Sequence, residues 1–230
     1  MSGSELLTNG FCRTGQKAAS TFACRRAGRY QLLGAPPAIR GYSAGQRRYQ
    51  EASLDRGIRA NRMLRKAEPR DAEAIGKVRV AAWRAAYQHF MPKEFLKALD
   101  PANNLAELKE RLSNQSSDFT LSVAEDLRQV VAFSIVGKPR YEAAGKTIEL
   151  WALNVLPEYW RMGIGSRLVE RAITYALDAG FESIELWCIK GNTPAQEAYK
   201  KLGFTESGQE RSSSQLTGNT LHELHYIKVL

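Results

Sequence analysis

The stretch from Ile148 to Phe204 constrains the fold more than any other. Ile148 to Leu156 is an apolar run, interrupted by Glu149 and Asn154, that ends at Pro157. Such a run predicts a buried strand. Glu158 to Ser166 follows as a loop with glycines at 163 and 165. An amphipathic helix then starts. Leu168, Ala172 and Ala176 form one row of it, with Val169, Ile173 and Leu177 in the row beside it. Gly180 stands where a helix C-cap glycine belongs. Glu182 to Ile189 predicts a second apolar strand. Asn192-Thr193-Pro194 opens a second helix, with proline near its first turn. That helix carries Ala195, Tyr199 and Leu202 and stops at Gly203-Phe204.

A strand that delivers a glycine-bearing loop onto a helix N-terminus exposes several backbone N–H groups. The missing Cβ atoms let a phosphate approach, and the helix dipole favours its charge. The unit therefore points to an anionic ligand, although a Gly-x-Gly taken alone is weak evidence.

The context is more specific. The stretch resembles the Gcn5-related N-acetyltransferase (GNAT) superfamily, whose coenzyme loop reads Gln/Arg-x-x-Gly-x-Gly/Ala. Gly163 and Gly165 match the glycines. The first position is Trp160, with Arg161 one place later, so the polar arm of the family's loop is replaced. Asn192-x-x-Ala195-x-x-x-Tyr199-x-x-x-Gly203-Phe204 looks like the family's second signature. Met63-Leu64-Arg65-Lys66-Ala67 is similar to the start of many bacterial chains of this kind.

The remaining elements fit that order. Leu64 to Ala67 predicts a first strand. Asp71 is placed to cap a helix over 72–88, with Ile75, Val78, Ala82 and Ala86 facing the core. Trp83 and Tyr87, four apart, share another face. Short helices are expected over 92–99 and 104–112. Phe119–Ala124 and Gln129–Val136 read as a hairpin about Asp126-Leu127-Arg128. Lys138 to Lys146 is a polar loop. A strand to about Gln209, a loop at 211–219 and a last strand from Leu221 to Val229 close the chain. No internal repeat is visible. The order predicts an α/β chain of the α+β type, with a mixed, mostly antiparallel twisted sheet of six to seven strands and helices on both faces. The resemblance covers residues 63–230 and implies that the fourth and fifth strands splay apart around the coenzyme.

Charge divides the chain at the same point. The net charge is +9, but residues 1–62 hold 11 Lys and Arg against 3 Asp and Glu, whereas the remaining 168 residues hold 22 against 21. The domain over 63–230 is thus nearly neutral, and no nucleic-acid partner is expected for it. No run of 18 apolar residues occurs, so no membrane partner is expected. Residues 1–62 lack apolar periodicity. Three readings stand: a disordered extension before an internal start at Met63, an organelle transit segment, or a basic arm. The transit reading draws on Arg40-Gly41-Tyr42-Ser43, which resembles a mitochondrial processing site. The compartment expected is the cytoplasm, or the mitochondrial matrix if residues 1–42 are a transit peptide. Cys12, Cys24 and Cys188 build neither a disulfide framework nor a metal site, and Cys188 reads as a small buried hydrophobe. His89, His222 and His225 are scattered, and the last two fall on opposite faces of a strand. No metal is expected.

Moving an acetyl group from a thioester to an amine requires a held coenzyme, a donor to the carbonyl oxygen, an acid for the thiolate and a base for the amine. The resemblance implies a residue for each. Leu153, Asn154 and Val155 would hold the pantetheine and polarise the thioester. Arg161, Met162, Gly163, Ile164, Gly165 and Ser166 would hold the pyrophosphate, and Asn192 would contact the coenzyme arm. Tyr199 matches the general acid, Glu149 matches the base, and Trp83 and Tyr87 would roof the acceptor site. The activity implied is direct transfer from acetyl-CoA to a primary amine, small or peptidic, in a ternary complex. The alternative is a silent acyl-CoA-binding sensor or scaffold. A homodimer stays open. A nucleotide-binding domain is disfavoured, because Gly-x-Gly-x-x-Gly is absent and Gly145-Lys146-Thr147 has Arg140 where the Gly-x-x-x-x-Gly-Lys-Ser/Thr loop needs its first glycine.

Overall fold

The computed structural model describes residues 63–114, 119–141 and 145–230. The three readings of residues 1–62, with Cys12, Cys24 and Arg40 to Ser43, lie outside the described residues. The sheet has seven strands: β1 (Met63–Lys66), β2 (Phe119–Asp126), β3 (Gln129–Gly137), β4 (Thr147–Val155), β5 (Ser183–Ile189), β6 (Thr205–Ser213) and β7 (Leu221–Val229). They lie in the order β1-β2-β3-β4-β5-β7-β6. Every pairing is antiparallel except β4 with β5. Among the described residues five α-helices accompany the sheet: α1 (Ala72–Ala86), α2 (Lys93–Ala98), α3 (Leu105–Asn114), α4 (Ile164–Asp178) and α5 (Thr193–Lys201).

Alternation along the strands sends side chains to two cores. On one face, Ile75 and Val78 of α1 and Leu108 and Leu112 of α3 pack on Leu121, Val123, Phe133, Ile135 and Trp151. On the other face, Val169, Ala172 and Ala176 of α4 pack on Ile148, Leu150, Ile184, Leu186 and Tyr226. The rows expected from the sequence are the rows that α4 buries, except that Leu177 is 53% exposed. Helix α1 approaches its neighbouring loop closely at Gly76, where an added Cβ would lie 2.2 Å from the Pro101 carbonyl oxygen.

Three expectations need correction. Helix α1 ends at Ala86 with Tyr87 as its C-cap, so residues 87 and 88 lie beyond it. Strand β6 runs to Ser213, because Arg211 pairs with Glu223 and Ser212 with His222 across the ladder. The loop expected at 211–219 therefore starts later. Asp71 precedes α1, but its side chain makes no cap bond to that helix and closes a capping box on the short 3-10 turn Pro69–Asp71. Its carboxylate instead accepts hydrogen bonds from Arg65 at 2.6 and 2.8 Å and from the Glu68 N–H at 2.8 Å.

That ion pair ties β1 to the start of α1. Burial works against the Asp71 charge, but the Arg65 and Glu68 hydrogen bonds outweigh it and hold the carboxyl below its usual range. A carboxyl depressed on folding contributes stability above its unfolded value, and loses it as pH falls through the folded one. Asp71→Asn is therefore expected to cost about 2–4 kcal/mol at neutral pH. The gap from wild type should narrow progressively as pH falls below about 4, toward the lower folded value. Urea unfolding of both proteins at pH 7 and pH 3 checks this.

Candidate active site

Strands β4 and β5 share three rungs, Thr147↔Ser183, Ile148↔Ile184 and Glu149↔Glu185, and no rung beyond. Leu150 to Val155 keeps β3 as its neighbour on one side, with a bulge at Trp151 between the Ile135↔Ala152 and Val136↔Leu150 pairs. Its other side, facing the free half of β5, is open. A buried backbone edge must find hydrogen-bond partners, and an extended ligand can supply them.

The open end of this gap is closed by the loop before α4. Gly163 is the N-cap of α4 at φ +78°, a left-handed conformation that suits glycine, and no side chain caps the helix. Arg161 is also left-handed, at φ +60°. The α4 N–H groups of the first turn thus face outward at the positive end of the helix dipole. A Cβ on Gly163 would meet no protein atom within 4 Å, so packing does not demand that position be bare. Gly165 lies against the end of β4, where an added Cβ would sit 3.7 Å from both Leu153 and Val155 side chains. Ile164 is buried, Arg161, Met162 and Gly163 are exposed, and Ser166 is half-buried. Trp160 folds back on the strand, its indole N–H donating to the Val155 carbonyl at 2.7 Å. Where the family pattern has a polar arm, this chain has a ring that closes the strand end.

The far wall is α5. Asn192 caps it through its backbone, the carbonyl accepting the Ala195 and Gln196 N–H groups at 3.1 and 3.0 Å. Its side chain makes no cap bond. Tyr199 is half-buried, its ring 5.9 Å from that of Phe204. Its hydroxyl makes no hydrogen bond among the described residues. Burial pushes the phenol well above its ordinary range, and Cys188 and Tyr87 push in the same direction. Tyr87 belongs to the cluster on the opposite face of β5, with Trp83, Met91, Leu96 and Ile189. Trp83 and Tyr87 meet edge to face at 5.5 Å, as their spacing predicts. Burial also drives the Tyr87 phenol upward. Cys188 is the buried hydrophobe expected, with its thiol pushed up to about 12 by burial first and Glu223 second.

At the throat of the gap stand two carboxylates. Glu149 is fully buried, and Arg140 clamps it: the guanidinium Nε lies 3.1 Å from each carboxylate oxygen, a terminal nitrogen bonds Oε1, and the Arg140 N–H donates to Oε2 at 3.0 Å. Glu185 stands beside it on β5, 3% exposed, with Oε2 3.0 Å from His225 Nε2. The His225 Nδ1 is 2.8 Å from Ser207 Oγ. Trp187, Tyr141 and Arg211 surround the pair, with the Trp187 ring 4.8 Å from that of His225.

Sequence reasoning missed Glu185, His225 and Arg140 as parts of a site. A signal was present. Ile-Glu-Leu-Trp occurs twice, at 148–151 and 184–187, and the two copies lie side by side in parallel register at Ile and Glu. His225 is buried and His222 exposed, in keeping with their odd spacing. Among the described residues no group of His, Cys, Asp and Glu is gathered to hold a metal.

A mixed sheet that divides between its two parallel strands, with a glycine loop and an uncapped helix at the opening, has the architecture of the GNAT fold. The profile of the acetyltransferase (GNAT) family matches residues 80–204, and the chain belongs to that family. The uncharacterized N-acetyltransferase YuaI of Bacillus subtilis is 30% identical over 129 residues, which make up 56% of this chain and 72% of that one. Further curated relatives match over 57 to 82 residues, and this chain spans only 18% to 48% of their lengths. Among solved structures, PaiA N-acetyltransferase from Thermoplasma acidophilum in complex with coenzyme A superposes with a TM-score of 0.58 at 18% identity, over 74% of this chain and 99% of that one. YncA from Salmonella typhimurium, with its cofactor acetyl-CoA, gives a TM-score of 0.57 at 21% identity, over 74% and 94%.

The loop is the simplest part of the site to test. Gly163→Asp adds bulk and negative charge where a pyrophosphate would lie, meets no protein atom, and costs about 1–2 kcal/mol because its φ is left-handed. Acetyl-CoA affinity measured by calorimetry on the folded variant should fall at least about tenfold, with the melting temperature lowered by a few degrees.

Proposed function

We propose that residues 63–230 form an N-acetyltransferase domain that moves an acetyl group from acetyl-CoA directly to a primary amine. The observation that carries this reading is the gap between β4 and β5, closed by the Gly163 helix N-terminus and facing the unpartnered Tyr199 hydroxyl. Acetyl-CoA supplies the activated thioester. The Arg161–Ser166 segment holds its pyrophosphate through backbone N–H groups and the α4 dipole. The open edge of Leu153, Asn154 and Val155 pairs with the pantetheine and gives an N–H to the thioester oxygen. Asn192, its amide free of capping, contacts the arm from the other wall. Trp83 and Tyr87 line the acceptor side, and the amine surrenders its proton at the throat, where Glu149 and Glu185 stand side by side.

Tyr199 protonates the departing thiolate. In water a thiolate is too weak a base to draw a proton from a phenol. Burial in the cleft raises both kinds of group, the Cys188 thiol up to about 12 and the Tyr199 phenol well above its ordinary range, so the phenol stays protonated and ready to donate. A thiolate formed there is a far stronger base than in solvent.

A second reading, an acyl-CoA-binding sensor or scaffold without turnover, draws on the Arg140 clamp over Glu149. An amine panel with acetyl-CoA, followed by release of free thiol, separates the two. Turnover of any amine supports the enzyme, and coenzyme binding with no turnover supports the sensor. Within the enzyme reading, Tyr199→Phe removes a hydroxyl that has no protein partner, so fold and acetyl-CoA affinity should stay within about threefold. The single-turnover acetylation rate should drop by roughly 10²-fold.

A further inference from the structure

We propose that Glu185, rather than Glu149, takes the proton of the acceptor amine, with His225 and Ser207 connecting it to solvent. This rests on the reading above that the protein acetylates an amine.

The two carboxylates occupy one rung of the sheet at the throat, but their surroundings differ. Both oxygens of Glu149 are taken by Arg140. With both oxygens accepting from Arg140, Glu149 has no oxygen left unpartnered for an acceptor amine. Glu185 commits Oε2 to His225, whereas its Oε1 is buried with no hydrogen-bond partner among the described residues. A buried carboxylate oxygen left in that state is costly and calls for a donor. Two residues along the same strand face, the indole N–H of Trp187 is buried and unpartnered as well. The Tyr141 hydroxyl stands beside both groups, 3.4 Å from His225 Nε2, and an amine with a carbonyl near it would take its place as their partner.

The way out for the proton is also present. Glu185 Oε2, His225 Nε2, His225 Nδ1 and Ser207 Oγ form a continuous chain with gaps of 3.0 and 2.8 Å. Glu185 and His225 are buried, and Ser207 is exposed. Ser207 stands where the β6–β7 register skips between Glu206 and Glu210, followed by Gly208 at φ +83°. The bulge turns the serine toward the imidazole while keeping it in contact with water. The charged and titratable groups around Glu185 are Glu149, Arg140, Tyr141, His225 and, beyond Trp187, the Arg211–Glu223 pair.

The step balances. The ammonium gives one proton to Glu185 Oε1, the nitrogen lone pair forms the C–N bond, the nitrogen then loses its second proton to water, and the C–S bond breaks. The sulfur takes a proton from Tyr199, which is replenished from water. The Glu185–His225 pair sheds one proton through Ser207. The net products are the amide, free coenzyme A and one proton.

The test compares two acceptors: the best amine of the panel and its β,β,β-trifluorinated analogue, whose amine is largely unprotonated at neutral pH. A base is needed for the first and dispensable for the second. Glu185→Gln should lower kcat/KM about 10²-fold with the basic amine and less than about threefold with the analogue, at unchanged acetyl-CoA affinity. Ser207→Ala, on the surface, should lose a few-fold with the basic amine alone. If Glu185→Gln does not fold, Ser207→Ala and His225→Gln decide by the same dependence on the amine. Equal losses on both amines, or wild-type rates on both, overturn the proposal while leaving the acetyltransferase reading intact. A wild type that binds acetyl-CoA but acetylates nothing overturns that reading, and the assignment of Glu185 falls with it.

Discussion

The parting of β4 from β5 after Glu149 and Glu185 is the constraint on which the rest of the site depends. Strands hydrogen-bonded along their whole length would leave no room for a ligand between them and no open edge to pair with one. Here β3 and β7 hold the two strands from outside, so the sheet survives the gap. The α4 N-terminus then falls at the mouth of the gap, because the chain leaves the open end of β4 and turns through Pro157 to Gly163 into the helix. Packing of Ile164 and Leu168 against β2 and β3 fixes that helix end in place.

Two buried carboxylates at the last shared rung carry a large desolvation cost and repel each other. Each is offset by its own cation or imidazole: Arg140 comes from beyond the end of β3, and His225 comes from β7. Loss of one partner of such a pair typically costs about 3–5 kcal/mol, more than an exposed pair is worth. A throat built this way holds one geometry, and it leaves Glu185 Oε1 as the place where an incoming ammonium gains most.

Much of this was legible in the sequence, and the limits have physical causes. The strand–loop–helix unit could be read because its apolar periodicities are strong and its glycines sit at the turns. The residues that the family resemblance assigned to the coenzyme, among them Leu153, Gly163, Gly165, Asn192 and Tyr199, lie on β4, at the start of α4 and at or within α5, in one contiguous stretch of chain. The Glu185–His225–Ser207 chain was not legible, because it joins strands that are far apart in sequence and adjacent only through the β5-β7-β6 order. Arg140 lay in a loop whose polar composition does not reveal which residue turns inward. Asp71 looked like a helix cap because its type and place suit one, and the nearby Arg65 guanidinium claimed it instead. Trp160 departs from the family's loop pattern in a way only the structure explains, through its bond to the Val155 carbonyl.

Hydrogen–deuterium exchange of the full chain, with and without saturating acetyl-CoA, tests the central claim that the coenzyme lies in the gap between β4 and β5. The amides of 153–155 and 161–167 should slow together on adding acetyl-CoA, with smaller protection at the start of α5 and none along α3. Protection confined to other elements, or exchange unchanged at saturation, would contradict the account.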